Sequence, residues 1–240
     1  KAAAIGVSGD FKERLSALAE KGLNIVCIDI AHGHSITTID LIKQLKANFP
    51  NKEVIAGNVC TEMGYSDLVN AGADCVKVGI GPGSACTTRK VTGFGVPQFS
   101  AIYNIAQVSK KLKVPIIADG GIRNSRDVVL ALAAGAAACM IGGLFSKTYE
   151  SAGKKFLSPH GTNIKHHVLY GDVYDFTFRS IEYSYRLGDK NNLPLDIYTH
   201  YRGQASKDFQ EEYYGSLKET VINKLKKGQR ELSQELSRTP

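Results

Sequence analysis

Residues 75–88 read Cys-Val-Lys-Val-Gly-Ile-Gly-Pro-Gly-Ser-Ala-Cys-Thr-Thr. Cys75 to Val78 is a short apolar run of buried-strand type. The three glycines and the proline that follow force a tight turn, in which several backbone groups can point at one spot. Cys86 then stands among Ser84, Thr87, Thr88 and Arg89. A thiol on a loop beside polar donors and a cation is placed to act as a nucleophile. Taken alone, the same stretch reads more readily as a glycine turn followed by a buried structural cysteine. The flanking sequence decides between the two.

The same unit, a short apolar run with polar residues at its end, recurs on both sides. Strands are expected at Ala3–Val7, Ile25–Ile30, Val54–Val59, Cys75–Val78, Ile116–Ala118 and Ala138–Ile141. Helices of 3.6-residue period are expected at Phe11–Lys21, Ile36–Asn48, Ser66–Ala71, Ser100–Leu112 and Ser125–Ala134. Such alternation indicates βα units around a parallel sheet. Polar residues fall at nearly every strand end: Asp29 and His32, Asn58, Gly79 to Cys86, Asp119 to Arg123, and Gly142-Gly143. A (β/α)8 barrel carries its chemistry there, whereas a doubly wound sheet concentrates it at one switch point. The expected fold is therefore an α/β (β/α)8 TIM barrel. Six strands do not close it, and the chain begins at Lys1 rather than Met, so the two opening βα units are expected upstream.

The rhythm stops near Lys154. Val168–Tyr174, Phe176–Phe178 and Ile181–Tyr185 read as short strands or a hairpin, and Asp189 to Pro194 as a turn. The expectation is one barrel domain over 1–240, with an ordered β-rich insertion at 154–199, over the barrel mouth or at a subunit interface. Ser216–Leu236 reads as a charged amphipathic helix.

With 240 residues, 43% hydrophobic and 22% charged, the chain can bury one sizeable core. No run reaches the length of a membrane span. The first residues look like an internal strand, not a signal peptide. Five cysteines without a Cys-x-x-Cys pair argue for a reducing, cytoplasmic setting and against a disulfide framework or structural zinc. The net charge of +7 suits anionic substrates. No aromatic-basic interleaving suggests nucleic acid. His32-Gly-His34 lacks a third ligand, so loop hydrogen bonding is a better reading than metal. Lys77 inside a strand would be costly if buried alone, so it needs a carboxylate partner or a role in the site.

Several of these stretches together resemble the IMP dehydrogenase/GMP reductase family. They are Asp29-Ile-Ala-His-Gly-His-Ser35, Ala56-Gly-Asn-Val59, Lys77 to Arg89, Ile117-Ala-Asp-Gly-Gly-Ile-Arg123, Met140-Ile-Gly-Gly-Leu-Phe145 and Tyr201-Arg-Gly203. The resemblance runs over about residues 1–153 and again over about 201–222. It implies a (β/α)8 barrel that assembles as a homotetramer and binds a purine nucleotide monophosphate.

By the same resemblance, Cys86 attacks C2 of the purine. Gly81, Gly83 and Cys86 offer carbonyls to a monovalent cation, potassium. Ser84, Gly121, Gly142, Gly143 and Tyr201 hold the 5′-phosphate, with Gly203 in the same motif as Tyr201. Asp119 accepts from the ribose hydroxyls. Asp29, with His32, Gly79 and Arg89, lies on the side of the nicotinamide cofactor, NADPH or NAD. Thr88 contacts the group that leaves or enters at C2.

Within the family, Thr92-Gly93, Asp29 to Ser35 and Glu212-Tyr-Tyr-Gly-Ser-Leu217 are similar to GMP reductases. Reductive deamination of GMP by NADPH is the first expectation, IMP dehydrogenase the second, and a non-catalytic nucleotide-binding relative the third. No adjacent Arg-Tyr pair of dehydrogenase type follows Arg202. Two departures stand out. Gln204 occupies the place of a family Met beside the base. The reductase Glu-Gly-Lys flap motif is missing, leaving Glu211 and Glu212 nearest the place of its catalytic Glu.

Overall fold

The computed structural model describes residues 1–145 and the strands at 155–159, 174–179 and 195–201. They fall into two compact units. One is Lys1–Ser84 with Thr88–Phe145; the other is Ala85–Thr87 with the chain from Ser146.

In the first unit, six strands alternate with helices: β1 (Ala2–Ile5), α1 (Phe11–Glu20), β2 (Ile25–Asp29), α2 (Ile36–Asn48), β3 (Glu53–Val59), α3 (Glu62–Ala71), β4 (Cys75–Val78), α4 (Thr88–Thr92), α5 (Gln98–Leu112), β5 (Ile116–Asp119), α6 (Ser125–Ala133) and β6 (Ala138–Met140). The sheet order is β1-β2-β3-β4-β5-β6, and every pair is parallel. In sequential order, the right-handed crossover general to parallel βαβ units puts the helices on one face, and no switch point occurs among the described strands. The doubly wound alternative is thereby excluded. The unit is a run of six βα units, a partial TIM barrel.

Strand alternation produces two different faces. Val26, Ile28, Val54, Ala56, Val76, Val78, Ile116 and Ala118 are at most 1% exposed. They form one core with Leu41, Ile42, Leu45, Tyr65, Leu68, Ile102 and Ile105 from the helices. Cys27, Ile55, Cys75 and Ile117, on the opposite face, lie outside that core. The polar residues of the strand ends continue this second face. Local signals fix where helices begin: Ser35 accepts from Thr38 N, Thr61 from Gly64 N, and Asn124 from Asp127 N. Gly72 ends α3 in the left-handed conformation.

The expected elements agree with these to within a few residues, with two exceptions. Helix α3 starts four residues before the expected Ser66, because Thr61 caps it. The short α4 was not foreseen. In the second unit, β7 (Lys155–Pro159), β8 (Tyr174–Arg179) and β9 (Leu195–Tyr201) form an antiparallel sheet of order β7-β9-β8. Phe176–Phe178 falls inside β8, whereas β7 and β9 were not foreseen. Ile181–Tyr185 and the helix at Ser216–Leu236 lie outside the described residues, as does Val168–Tyr174 apart from its last residue.

Candidate active site

The ends of β2 to β5 bring together charges that lie far apart in sequence. Lys77 is 1% exposed, yet its ammonium is not alone. Nζ donates to Asp29 Oδ1 at 2.6 Å and to Asp119 Oδ2 at 2.8 Å. Burial on its own would lower the pKa of this ammonium; the Asp119 and Asp29 carboxylates outweigh that and hold it above the ordinary lysine value. The partner expected for Lys77 is thus two aspartates, one on each side. Their side chains are partly open to solvent, 40% for Asp29 and 23% for Asp119. Asp29 Oδ2 and Asp119 Oδ1 make no hydrogen bond among the described residues.

Four uncharged groups border this triad, two as hydrogen-bond donors and two as glycines that leave it room. Asn58 Nδ2 donates to Gly79 O at 2.8 Å and to Asp119 Oδ2 at 3.0 Å. Gln98 Nε2 ties Val78 O (2.9 Å) to Asp119 O (3.1 Å). Gly57 faces Lys77 across the β3–β4 ladder, and a Cβ there would lie 2.5 Å from Lys77 Cβ. Gly79 lies against the Asp119 carbonyl, so a side chain there would overlap it. Gln98 was not singled out from sequence; its only signal was a polar side chain opening α5 directly after Pro97. From sequence, Asn58 is legible only as a polar strand-end residue.

The glycine loop leaves β4 beside this network. Pro82 and Gly83 pack on Gly120 of the turn after β5. Ser84 is exposed on the same loop, and Cys86 follows two residues later, just before α4. Thr88 opens α4, and its carbonyl accepts from Thr92 Oγ1 at 2.7 Å. Arg89 donates from Nη2 to Val96 O at 2.7 Å, and its stem packs on Gly81, which closes the loop on itself. Gly142 and Gly143 follow β6 after one residue, Ile141. On the β2–α2 loop, His34 Nε2 lies 2.8 Å from Asp67 Oδ2, the loop hydrogen bonding expected of that motif. Exposed His32 lies beside it, the two rings 6.4 Å apart. No group of three His, Cys, Asp or Glu that could hold a metal occurs among the described residues.

Tyr201 closes β9, where its backbone faces Tyr174. Gly203, Gln204, Glu211 and Glu212 lie outside the described residues. The structure therefore gathers Asp29, Gly79 and Asp119 with the first half of the glycine loop.

The family model of the IMP dehydrogenase / GMP reductase domain matches residues 1–234. The chain belongs to this family. The inosine-5′-monophosphate dehydrogenase of Aquifex aeolicus is 51% identical over 152 residues, which are 63% of this chain and 31% of that protein. That of Borreliella burgdorferi is 47% identical over 171 residues, 71% of this chain and 42% of that protein. The chain thus spans less than half of the relatives it matches. Among solved structures, a cysteine-to-alanine variant of GMP reductase from Trypanosoma brucei superposes with a TM-score of 0.61 at 42% identity, covering 63% of this chain and 35% of that one. The same variant in complex with guanosine 5′-monophosphate gives 0.62 at 41% identity, covering 65% and 33%. These similarities agree with the partial barrel described above. No helix among the described residues is long and apolar enough to cross a membrane.

Proposed function

We propose that this member of the IMP dehydrogenase/GMP reductase family belongs to a purine nucleotide oxidoreductase that reduces GMP to IMP and ammonia at the expense of NADPH. The observation that carries the reading is the Asp29–Lys77–Asp119 triad at the mouth of the glycine loop that leads to Cys86. It offers, on each side of a buried cation, one carboxylate oxygen that no described residue uses. That suits two hydroxyl-bearing ligands bound side by side. Support for the guanine substrate comes from Thr92-Gly93 and from the likeness to a GMP reductase that binds guanosine 5′-monophosphate.

In this reading the Cys86 thiolate adds to C2 of GMP, an electron-poor amidine carbon. The 2-amino group takes up a proton and leaves as ammonia. NADPH, when bound, supplies the hydride that C2 accepts as the thiolate departs. The sum is GMP, NADPH and two protons giving IMP, ammonium and NADP+. Asp119 accepts from the ribose hydroxyls of the nucleotide, and Asp29 faces the nicotinamide side with His32, Gly79 and Arg89. Backbone N–H groups at Ser84, Gly121, Gly142 and Gly143, with Tyr201 and Gly203, hold the 5′-phosphate. Thr88, with Glu211 or Glu212, serves the departing amine, and Gln204 contacts the base. The carbonyls of Gly81, Gly83 and Cys86 are a donor set of the kind that holds potassium, and an ion there would order the loop.

The second reading, oxidation of IMP by NAD and hydrolysis to XMP, is favoured by the 51% identity to the Aquifex dehydrogenase. One experiment separates them. The intact protein is given GMP with NADPH and, separately, IMP with NAD, and the absorbance of the reduced nicotinamide is followed. Loss of signal with GMP supports the reductase; a gain with IMP alone replaces it with the dehydrogenase. Cys86→Ser should abolish turnover and leave nucleotide binding in place; retained turnover would sink the covalent route.

A further inference from the structure

Asp29 and Asp119 stand on β2 and β5, with β3 and β4 between them. Each gives one oxygen to the same buried ammonium, and the other oxygen of each makes no hydrogen bond among the described residues. We infer that Lys77 is a positioning residue for both substrates at once, coupling the nucleotide side of the site to the dinucleotide side. The inference rests on the assignment of Asp119 to the ribose and Asp29 to the nicotinamide side proposed above.

The geometry allows little else. Lys77 is too buried to meet a ligand directly, and both bonds to its ammonium are short and charge-assisted. Asn58 and Gln98 restrain Asp119 from the β3 and α5 sides. No comparable restraint acts on Asp29, whose carboxylate has Lys77 as its hydrogen-bond partner among the described residues. A change in charge at Asp29 therefore reaches Asp119 through the ammonium. If Asp29 loses its charge, the cation has one anionic partner left and draws toward Asp119. Charge is then withdrawn from the oxygen that faces the ribose.

The test measures the dissociation constant for GMP by calorimetry and KM for NADPH on the full chain. In Lys77→Met, both should rise about tenfold, the value of one charge-assisted hydrogen bond. Asp29→Asn should weaken GMP about threefold although Asp29 does not touch it, a size usual for coupled neighbours. That cross-effect should vanish in the Lys77→Met background. A purely structural lysine gives no cross-effect. If Lys77→Met folds and either constant is unchanged, the inference falls. If Lys77→Met does not fold, Asp29→Asn decides alone, and an unchanged GMP constant overturns the inference. Failure of the wild-type protein to bind GMP removes the functional reading itself, and the inference with it.

Discussion

Replacing Gly79 with Ala tests the contact that joins β4 to the site. Gly79 has φ of +149°, a conformation that only glycine adopts without strain, so any side chain costs about 2 kcal/mol there. The new Cβ would also overlap the carbonyl oxygen of Asp119 and lie 3.0 Å from Gln98 Nε2. Backbone cannot yield as a flexible side chain can, so overpacking adds about 2 kcal/mol. The expected total is about 4 kcal/mol, a large part of the 5–15 kcal/mol that holds a typical domain. Gly22→Ala is the control. Its φ is +76° and nothing lies within 4 Å of its Cβ position, so it should lose only about 1 kcal/mol from strain. Urea unfolding followed by far-UV circular dichroism measures both. Because the overlap is with Asp119, Gly79→Ala should also weaken GMP binding, whereas Gly22→Ala should not. Equal losses in the two variants, with GMP affinity intact in both, would refute the close approach of Gly79 and Asp119.

Four further outcomes rest on the first unit. Val114 O accepts from Tyr65 Oη at 2.6 Å and from Ser109 Oγ at 2.7 Å, so either hydroxyl keeps it satisfied. Tyr65→Phe and Ser109→Ala should each cost about 1 kcal/mol in urea unfolding, and the double variant more than their sum; strict additivity would show that the carbonyl is not shared. Burial pushes the thiols of Cys27 and Cys75 up to about 11, so peptide mapping after alkylation at pH 8 should find both nearly unlabelled, with rates climbing toward pH 11. The folded chain holds these two protons above the ordinary value of 9.0 while the unfolded chain releases them, so stability present below pH 9 should be lost as pH rises toward 11; a melting temperature that is flat across that window would count against it. Asn124→Ala removes the side-chain cap of α6 and should cost about 1 kcal/mol, with no loss on Asn124→Ser.

The βα rhythm was legible because the helix-facing strand positions carry an unbroken code. Val26 and Ile28, Val54 and Ala56, Val76 and Val78, and Ile116 and Ala118 are all apolar, and all are buried. Helix α4 was not legible, since five residues, Thr88 to Thr92, are too few to show a period. The start of α3 was hidden by Gly64, a poor helix former, although Thr61 was present as its cap. Strands β7 and β9 carry no alternation strong enough to be told from loop, and their pairing joins residues about forty apart, such as Lys155 with Thr199.

The site was legible as an anomaly rather than as a geometry. A lysine in an apolar strand announces that something must neutralise it, and the sequence offers many carboxylates. Its actual partners are 48 and 42 residues away, and only the sheet register selects them. Asp29 pairs with Gly57, Gly57 with Lys77, and Lys77 with Ile117, two residues before Asp119. Between Asp29 and Lys77 there is thus one strand, and the residue on it is a glycine. A side chain at Gly57 would meet Lys77 Cβ at 2.5 Å and stand where the lysine must cross β3. The short stretch Ala56-Gly-Asn-Val59 therefore has a physical reading beyond its weak specificity as a motif. Its glycine clears a path for the ammonium to Asp29, and its asparagine, one residue on, fixes the carboxylate at the other end. Gly57→Ala should accordingly loosen Asp29 from Lys77 while the Asn58 bond to Asp119 persists. The resulting loss would fall first on KM for NADPH and only secondarily on GMP affinity. A loss confined to GMP would show that the path across β3 does not set the position of Asp29.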